Sequence, residues 1–184
     1  MGTPYIVPVA ALRRSVPSSL DVSFEAPFDA ERELDPLGPA ETDVDPDALV
    51  SVTLRLESYA GGIRARGTVR APWHGTCRRC ATRVDGELDV VVSERFAPGP
   101  RPADDLAYPF EDDSLDLAPL VRDSIMLNLP IAPLCREDCA GLCAVCGADL
   151  NEGPCGCAAP TDPRWATLDA LRFPGEDPGE SHPE

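Results

Sequence analysis

The sequence predicts an α+β protein: an antiparallel, partly curled β-sheet, a packed helix, and a C-terminal Cys-rich ribbon. Three observations carry this. Apolar and polar residues alternate through most of residues 50–96. One amphipathic stretch, DLAPLVRDSIMLNLP, occupies 116–130. Six cysteines then crowd into LCREDCAGLCAVCGADLNEGPCGC, from Cys135 to Cys157.

Residues 1–48 hold short β-prone pieces, Tyr5 to Val9 and Leu20 to Phe24, then an acidic, proline-broken linker over 28–48. Residues 49–134 hold the sheet and the helix. In LVSVTLRLES, Val50, Val52, Leu54 and Leu56 alternate with Ser51, Thr53, Arg55 and Glu57, a strand with one buried face. Ala60-Gly61-Gly62 turns the chain. A second strand, Ile63 to Ala71, puts Ile63, Ala65, Gly67, Val69 and Ala71 on one face and Arg64, Arg66, Thr68 and Arg70 on the other. A third runs from about Val84 to Phe96, so CRRC (Cys77 to Cys80) sits at the turn between strands two and three. Residues 98–114 read as a second acidic loop. The helix follows, with Asp116 as N-cap, Pro119 in the first turn and Pro130 beyond the end. Its apolar face is Leu117, Leu120, Val121 and Ile125, with Ser124 the small member. Residues 135–173 form the cysteine-rich segment and a short helix from Asp162 to Leu171, with Trp165, Leu168 and Leu171 inward. Residues 174–184 read as a disordered tail.

The chain of 184 residues has a formal net charge of −16, with sixteen Arg and no Lys. Such a balance disfavours wholesale wrapping of nucleic acid and favours basic protein partners. No run approaches the ~20 apolar residues that span a bilayer. The N-terminus lacks the pattern of a signal peptide, because its apolar run is short and proline-broken. A cytoplasmic setting is expected, without membrane attachment. In a reducing compartment, clustered cysteines favour metal over disulfides.

Zinc prefers four thiolates in a tetrahedron. Cys143-x2-Cys146, followed by Gly147, supplies one tight pair, and Cys155-Gly156-Cys157 supplies the other, so these four form a compact site. Cys77-x2-Cys80 then remains with Cys135 and Cys139. A second zinc there would clip the sheet turn to the end of the helix. A competing partition joins Cys139, Cys143, Cys146 and one later cysteine. Unliganded thiols, an iron–sulfur cluster and a thiol redox pair are the other readings. The redox reading of CRRC suffers from context, since thioredoxin-like pairs open a helix in a βαβ unit.

Between Arg64 and Arg83 there is no acidic residue. Arg64, Arg66, Arg70, Arg78, Arg79 and Arg83, with Trp73, form a candidate RNA-binding face: guanidinium matches phosphate, and Trp73 could stack on a base. The competing reading is a solvated sheet face paired with acids from 98–114. No catalytic residues stand out. His74 and His182 are the only histidines, and there is no nucleophile elbow, P-loop or dinucleotide glycine motif. No enzyme activity and no small-molecule substrate are expected.

Three features in order resemble one family: Cys-x-Arg-Cys after a hairpin (Cys77, Arg79, Cys80), an apolar helix ending in LNLPIAPLC, and CAGLCAVCGADLNEGPCGC. The last contributes Cys139, Gly141, Leu142, Cys143, Cys146, Gly147, Leu150, Asn151, Cys155 and Cys157; Cys135 closes the second. The pattern resembles the YceD-like family (domain of unknown function 177), associated with accumulation of 23S ribosomal RNA, over roughly residues 50–172. Ala81 departs from it, since the family often has Leu there. The resemblance implies a non-enzymatic ribosome biogenesis factor supporting 23S rRNA accumulation or large-subunit assembly; the cysteine spacing adds two zinc ions. It also implies that the first CRRC motif belongs to a separable site, because some members are said to lack the last four cysteines. In many bacteria the family's gene neighbours one for a small large-subunit ribosomal protein. Expected partners are thus large-subunit ribosomal RNA or a precursor particle, and a small basic ribosomal protein. The alternatives are a zinc-stabilised protein-binding adaptor without RNA contact, and a thiol redox protein.

Overall fold

The computed structural model describes residues 4–28, 42–100, 106–158 and 164. In chain order the elements are β1 (Ile6–Pro8), α1 (Ala10–Arg14), β2 (Ser19–Pro27), β3 (Thr42–Asp43), β4 (Leu49–Tyr59), β5 (Gly62–Thr76), β6 (Arg83–Pro98), β7 (Tyr108–Phe110), β8 (Ser114–Asp116) and α2 (Ala118–Asn128). The chain divides into two compact units, Met1–Cys139 and Ala140–Glu184. All of these elements belong to the first. Apart from residue 164, the expected helix over 162–171 and the tail lie outside the described residues, as do 29–41 of the acidic linker.

The period-two pattern forms the sheet. Its order is β2-β4-β5-β6-β7, an open path, with β3 also paired to β5. The hairpin closes around Ala60 and Gly61, which fixes the register Arg55↔Arg66 and Leu56↔Ala65. β5 and β6 pair from Ile63↔Phe96 to Thr76↔Arg83. Pairing is antiparallel except for β6 with β7. The central strands run longer than their apolar alternation suggested, because backbone pairing continues past the last buried side chain.

β2 pairs with β4 over its full length, from Ser19↔Glu57 to Pro27↔Leu49. The N-terminal segment therefore contributes a strand to the main sheet, and the expected boundary at residue 48 runs through that sheet. Two short elements, one within the expected loop of 98–114 and one at its end, are a further difference. β7 extends the sheet, and β8 pairs with β1. Their patterns are three residues long, too brief for periodicity to mark. The turn α1 was also not expected; it is held by the Arg13 amide donating to the Val9 carbonyl and by burial of Leu12.

α2 begins and ends where the prolines require. The capping position is Leu117, one residue after the expected Asp116, and it makes no side-chain cap hydrogen bond; Asp116 ends β8 and accepts from the Ala118 amide at 3.0 Å. The chain leaves the helix before Pro130. Leu117, Leu120, Val121 and Ile125 are all buried. They pack over the inner sheet face, where Val50, Val52, Leu54, Leu56, Ile63, Val69 and Phe96 lie. Each such side chain contributes about 1.5–3 kcal/mol relative to exposure. The Ser124 hydroxyl donates to the Leu120 carbonyl at 2.7 Å.

Trp73 continues the core-facing alternation of Ile63, Ala65, Val69 and Ala71. Its ring packs beside the core and lies over Gly86, its cross-strand partner. A Cβ at residue 86 would come within 2.7 Å of that ring. The aromatic ring thus replaces the side chain that glycine lacks. Trp73 is on the opposite face from Arg64, Arg66 and Arg70, so it does not join them as a stacking platform.

Candidate metal centres

The structure brings the eight thiols into two groups: Cys77, Cys80, Cys135 and Cys139, and Cys143, Cys146, Cys155 and Cys157. Within each, all sulfurs lie within 4.8 Å of one another. Four sulfurs at roughly 2.3 Å from a zinc ion would be about 3.8 Å apart in a regular tetrahedron. The Cys77 and Cys139 sulfurs are 3.9 Å apart and those of Cys80 and Cys135 are 3.6 Å apart. These separations suit four ligands around one ion and are far from the roughly 2 Å of a disulfide.

The first group is built where the β5–β6 turn meets the segment after α2. The turn is set by the Cys77 amide donating to the Thr82 carbonyl at 2.8 Å and the Ala81 amide to the Cys77 carbonyl at 2.9 Å. Ala81 takes a positive φ of 57° to complete it. The returning segment is stitched on by the Arg78 amide, which donates to the Pro133 carbonyl at 3.0 Å. Arg79 adds a second stitch: its guanidinium donates to the carbonyls of Cys139 at 2.8 Å and Glu137 at 3.3 Å. Val84 and Leu134 pack against the sulfurs. Cys77, Cys80 and Cys139 are buried, and Cys135 faces solvent.

The electrostatics suit a cation. Burial pushes the Cys77 thiol up, but the amides of Cys135, Cys80 and Arg79 outweigh it and hold it at about 6. The Thr82 hydroxyl, then its amide, holds Cys80 down. Cys135 is pushed up to about 12 by the thiols of Cys139 and Cys80. Aligned amides favour the first thiolates, while their proximity resists the last. A bound cation removes that resistance.

The second group stands in the unit after Cys139. Gly147 adopts φ 74°, and its amide donates to the Cys143 carbonyl at 2.9 Å. The Val145 amide points at the Cys143 sulfur at 3.4 Å. Cys143 is held at about 6 by the amides of Cys146 and Val145 and the Cys155 thiol. Cys157 is pushed up to about 11 by the thiols of Cys146 and Cys155. Leu142 and Asp149 form a bridge, and Asn151 clasps it. The Asn151 carboxamide accepts from the Ala140 amide at 2.8 Å and donates to the Asp149 carboxylate at 2.6 Å.

The arginines named from the sequence separate into different settings. Arg64, Arg66 and Arg70 share the outer face of the sheet. Arg70 pairs with Asp89 at 2.8 Å and Arg83 with Asp85 at 2.8 Å. Arg66 approaches Glu57 at 3.9 Å. Asp89 and Glu57 come from neighbouring strands and Asp85 from Arg83's own strand, none of them from 98–114. Arg64 lies over the Tyr59 ring at 5.9 Å. Arg78 is exposed on the metal-site turn, and Arg79 is turned into it.

Two outer-face arginines were not among the RNA candidates read from the sequence. Arg55 is opposite Arg66, and Arg95 is opposite Arg64. Counting outward from the Ala60-Gly61 turn would have paired Arg55 with Arg66. Asn151 was a motif residue with no assigned role until its hydrogen bonds were visible.

A protein of Mycobacterium tuberculosis, titled uncharacterized, is 37% identical over 139 residues, spanning 73% of this chain and 67% of its own length. A maize chloroplastic protein named large ribosomal RNA subunit accumulation protein YCED homolog 1 is 32% identical over 77 residues, 42% of this chain and 22% of its own. The Arabidopsis thaliana protein of the same name is 37% identical over 54 residues, 29% of this chain and 17% of its own. No solved structure matches. The model of one family covers residues 65–172, from the middle of the hairpin through both cysteine groups. This chain belongs to the large ribosomal RNA subunit accumulation protein YceD family.

Proposed function

We propose that this protein is a non-enzymatic, cytoplasmic factor that supports accumulation of 23S ribosomal RNA during large-subunit assembly. The observation that carries the reading is the family match, which includes both four-cysteine groups and the arginine-bearing strand. Each group holds one zinc ion. The ion at Cys77, Cys80, Cys135 and Cys139 locks the β5–β6 turn to the segment after α2. The ion at Cys143, Cys146, Cys155 and Cys157 stiffens a C-terminal zinc ribbon. No catalytic step is assigned to either; four thiolates leave no open position for substrate.

The sheet's outer face meets ribosomal RNA through guanidinium–phosphate contacts. The chain's net charge of −16 opposes wrapping, so RNA contact is local, and acidic segments engage a small basic ribosomal protein. A protein-only adaptor is favoured by one observation: Arg70 and Arg83 already pair with Asp89 and Asp85. Crosslinking in cells, followed by capture of the full chain, separates the two. Enrichment of 23S sequences and large-subunit precursors is expected. Enrichment of proteins without RNA would replace the reading with the adaptor.

A further inference from the structure

At the hairpin end of the outer sheet face, arginine stands opposite arginine twice. Arg55 of β4 faces Arg66 of β5, and Arg64 of β5 faces Arg95 of β6. Like charges directly opposite on neighbouring strands destabilise a sheet. Two such pairs side by side place four guanidiniums on three adjacent strands. Glu57 lies 3.6 Å from Arg55 and 3.9 Å from Arg66. Asp21 approaches Arg55 from the edge strand at 3.2 Å. The rest of the face is different. The next cross-strand row is neutral, with Thr53, Thr68 and Val91. Beyond it, Arg70 and Arg83 each have a carboxylate at 2.8 Å.

A hollow of about 500 Å³ opens beside this corner, lined by Ser19, Arg55, Glu57, Tyr59 and Arg64 among others. Its volume falls in the range of pockets that seat small ligands. The Ser19 hydroxyl is already oriented, accepting from Arg55 at 2.7 Å. Tyr59 offers a partly exposed ring beneath the Arg64 guanidinium. Cationic groups, an aromatic ring and a nucleotide-sized hollow together suit an unpaired RNA strand, whose phosphates take the cations while one nucleotide leaves its stack.

We infer that the corner formed by Arg55, Arg64, Arg66 and Arg95 is the RNA grip, with the hollow at Tyr59 seating one nucleotide. The inference rests on the RNA reading above and narrows it. Arg70 and Arg83 instead serve the sheet, and Arg79 serves the cysteine turn.

The test is binding of the full, metal-loaded chain to a 23S rRNA transcript over a salt series. Changing all four arginines to Gln should weaken binding at least tenfold at 0.15 M salt. The slope of log K against log salt should fall by about 3, on the scale of ~0.7 per single-strand phosphate contact. The control R70Q/R83Q should stay within about threefold. A Lys version of the four should retain most affinity, which guards against a folding defect in the Gln version. If wild type binds and the control loses as much as the four-Gln variant, the corner is wrong while the RNA reading stands. If wild type binds no RNA, both are wrong. If polyglutamate competes as well as RNA, the corner is an acidic-protein face and the inference is overturned.

Discussion

The Arg79 guanidinium donates to the Cys139 carbonyl oxygen at 2.8 Å, joining the two cysteine loops of one candidate metal centre. The two residues are 60 positions apart in sequence. Replacing Arg79 with Ala should therefore weaken metal retention at this centre about 10-fold, in the range found for groups that orient ligands. Competition with a chromogenic chelator measures it. Arg79→Lys should recover only part, since a single ammonium does not reproduce the planar fork. Unchanged retention in both variants would remove Arg79 from the centre.

Each centre should fill independently. Native mass spectrometry should find two zinc ions per chain. Cys77→Ser and Cys143→Ser should each remove one ion and leave the other. Release of both by thiol modification is expected. A metal-free chain that readily forms disulfides would instead support the redox reading.

Loss of the Cys77 centre should cost more stability than loss of a local clip. Cys80 and Cys135 are 55 positions apart, and closing a loop of that length is worth about 4 kcal/mol on the scale used for disulfides. Chelation should lower the Tm of the sheet unit by roughly 10 °C, read by calorimetry with and without zinc. A Tm that ignores chelator would show that the sheet holds without the clip.

Asn151→Ala should remove the contacts to the Ala140 amide and the Asp149 carboxylate. A loss of about 1–2 kcal/mol is expected within the C-terminal unit. Faster zinc release from Cys143, Cys146, Cys155 and Cys157 is the readout, with the other centre unaffected.

Leu120→Ala should destabilise the sheet unit by about 2–5 kcal/mol, because the side chain is fully buried between α2 and the sheet. Urea denaturation followed by far-UV circular dichroism checks it. A change under 1 kcal/mol would mean that the helix is not packed as described.

Periodicity in the sequence was enough to place β4, β5, β6 and α2, because each buries one face over many residues. It also separated Arg64, Arg66 and Arg70 from the core. It did not reveal β7, β8 or α1, where long-range pairing and one buried leucine outweigh weak local pattern. Trp73 was read with the arginines from its neighbours in sequence, although the same alternation, carried past Pro72, puts it over Gly86. Short Cys-x2-Cys spacings and the family's separable first motif made the cysteine grouping legible. The role of Arg79 was not, since it depends on carbonyls from a distant loop.

The most direct measurement is the ratio of 23S to 16S ribosomal RNA in host cells depleted of this protein. A fall in that ratio, restored by the wild-type chain but not by the four-arginine Gln variant, is predicted. A ratio unchanged by depletion, with no co-sedimentation of the protein with large-subunit precursors, would contradict the account.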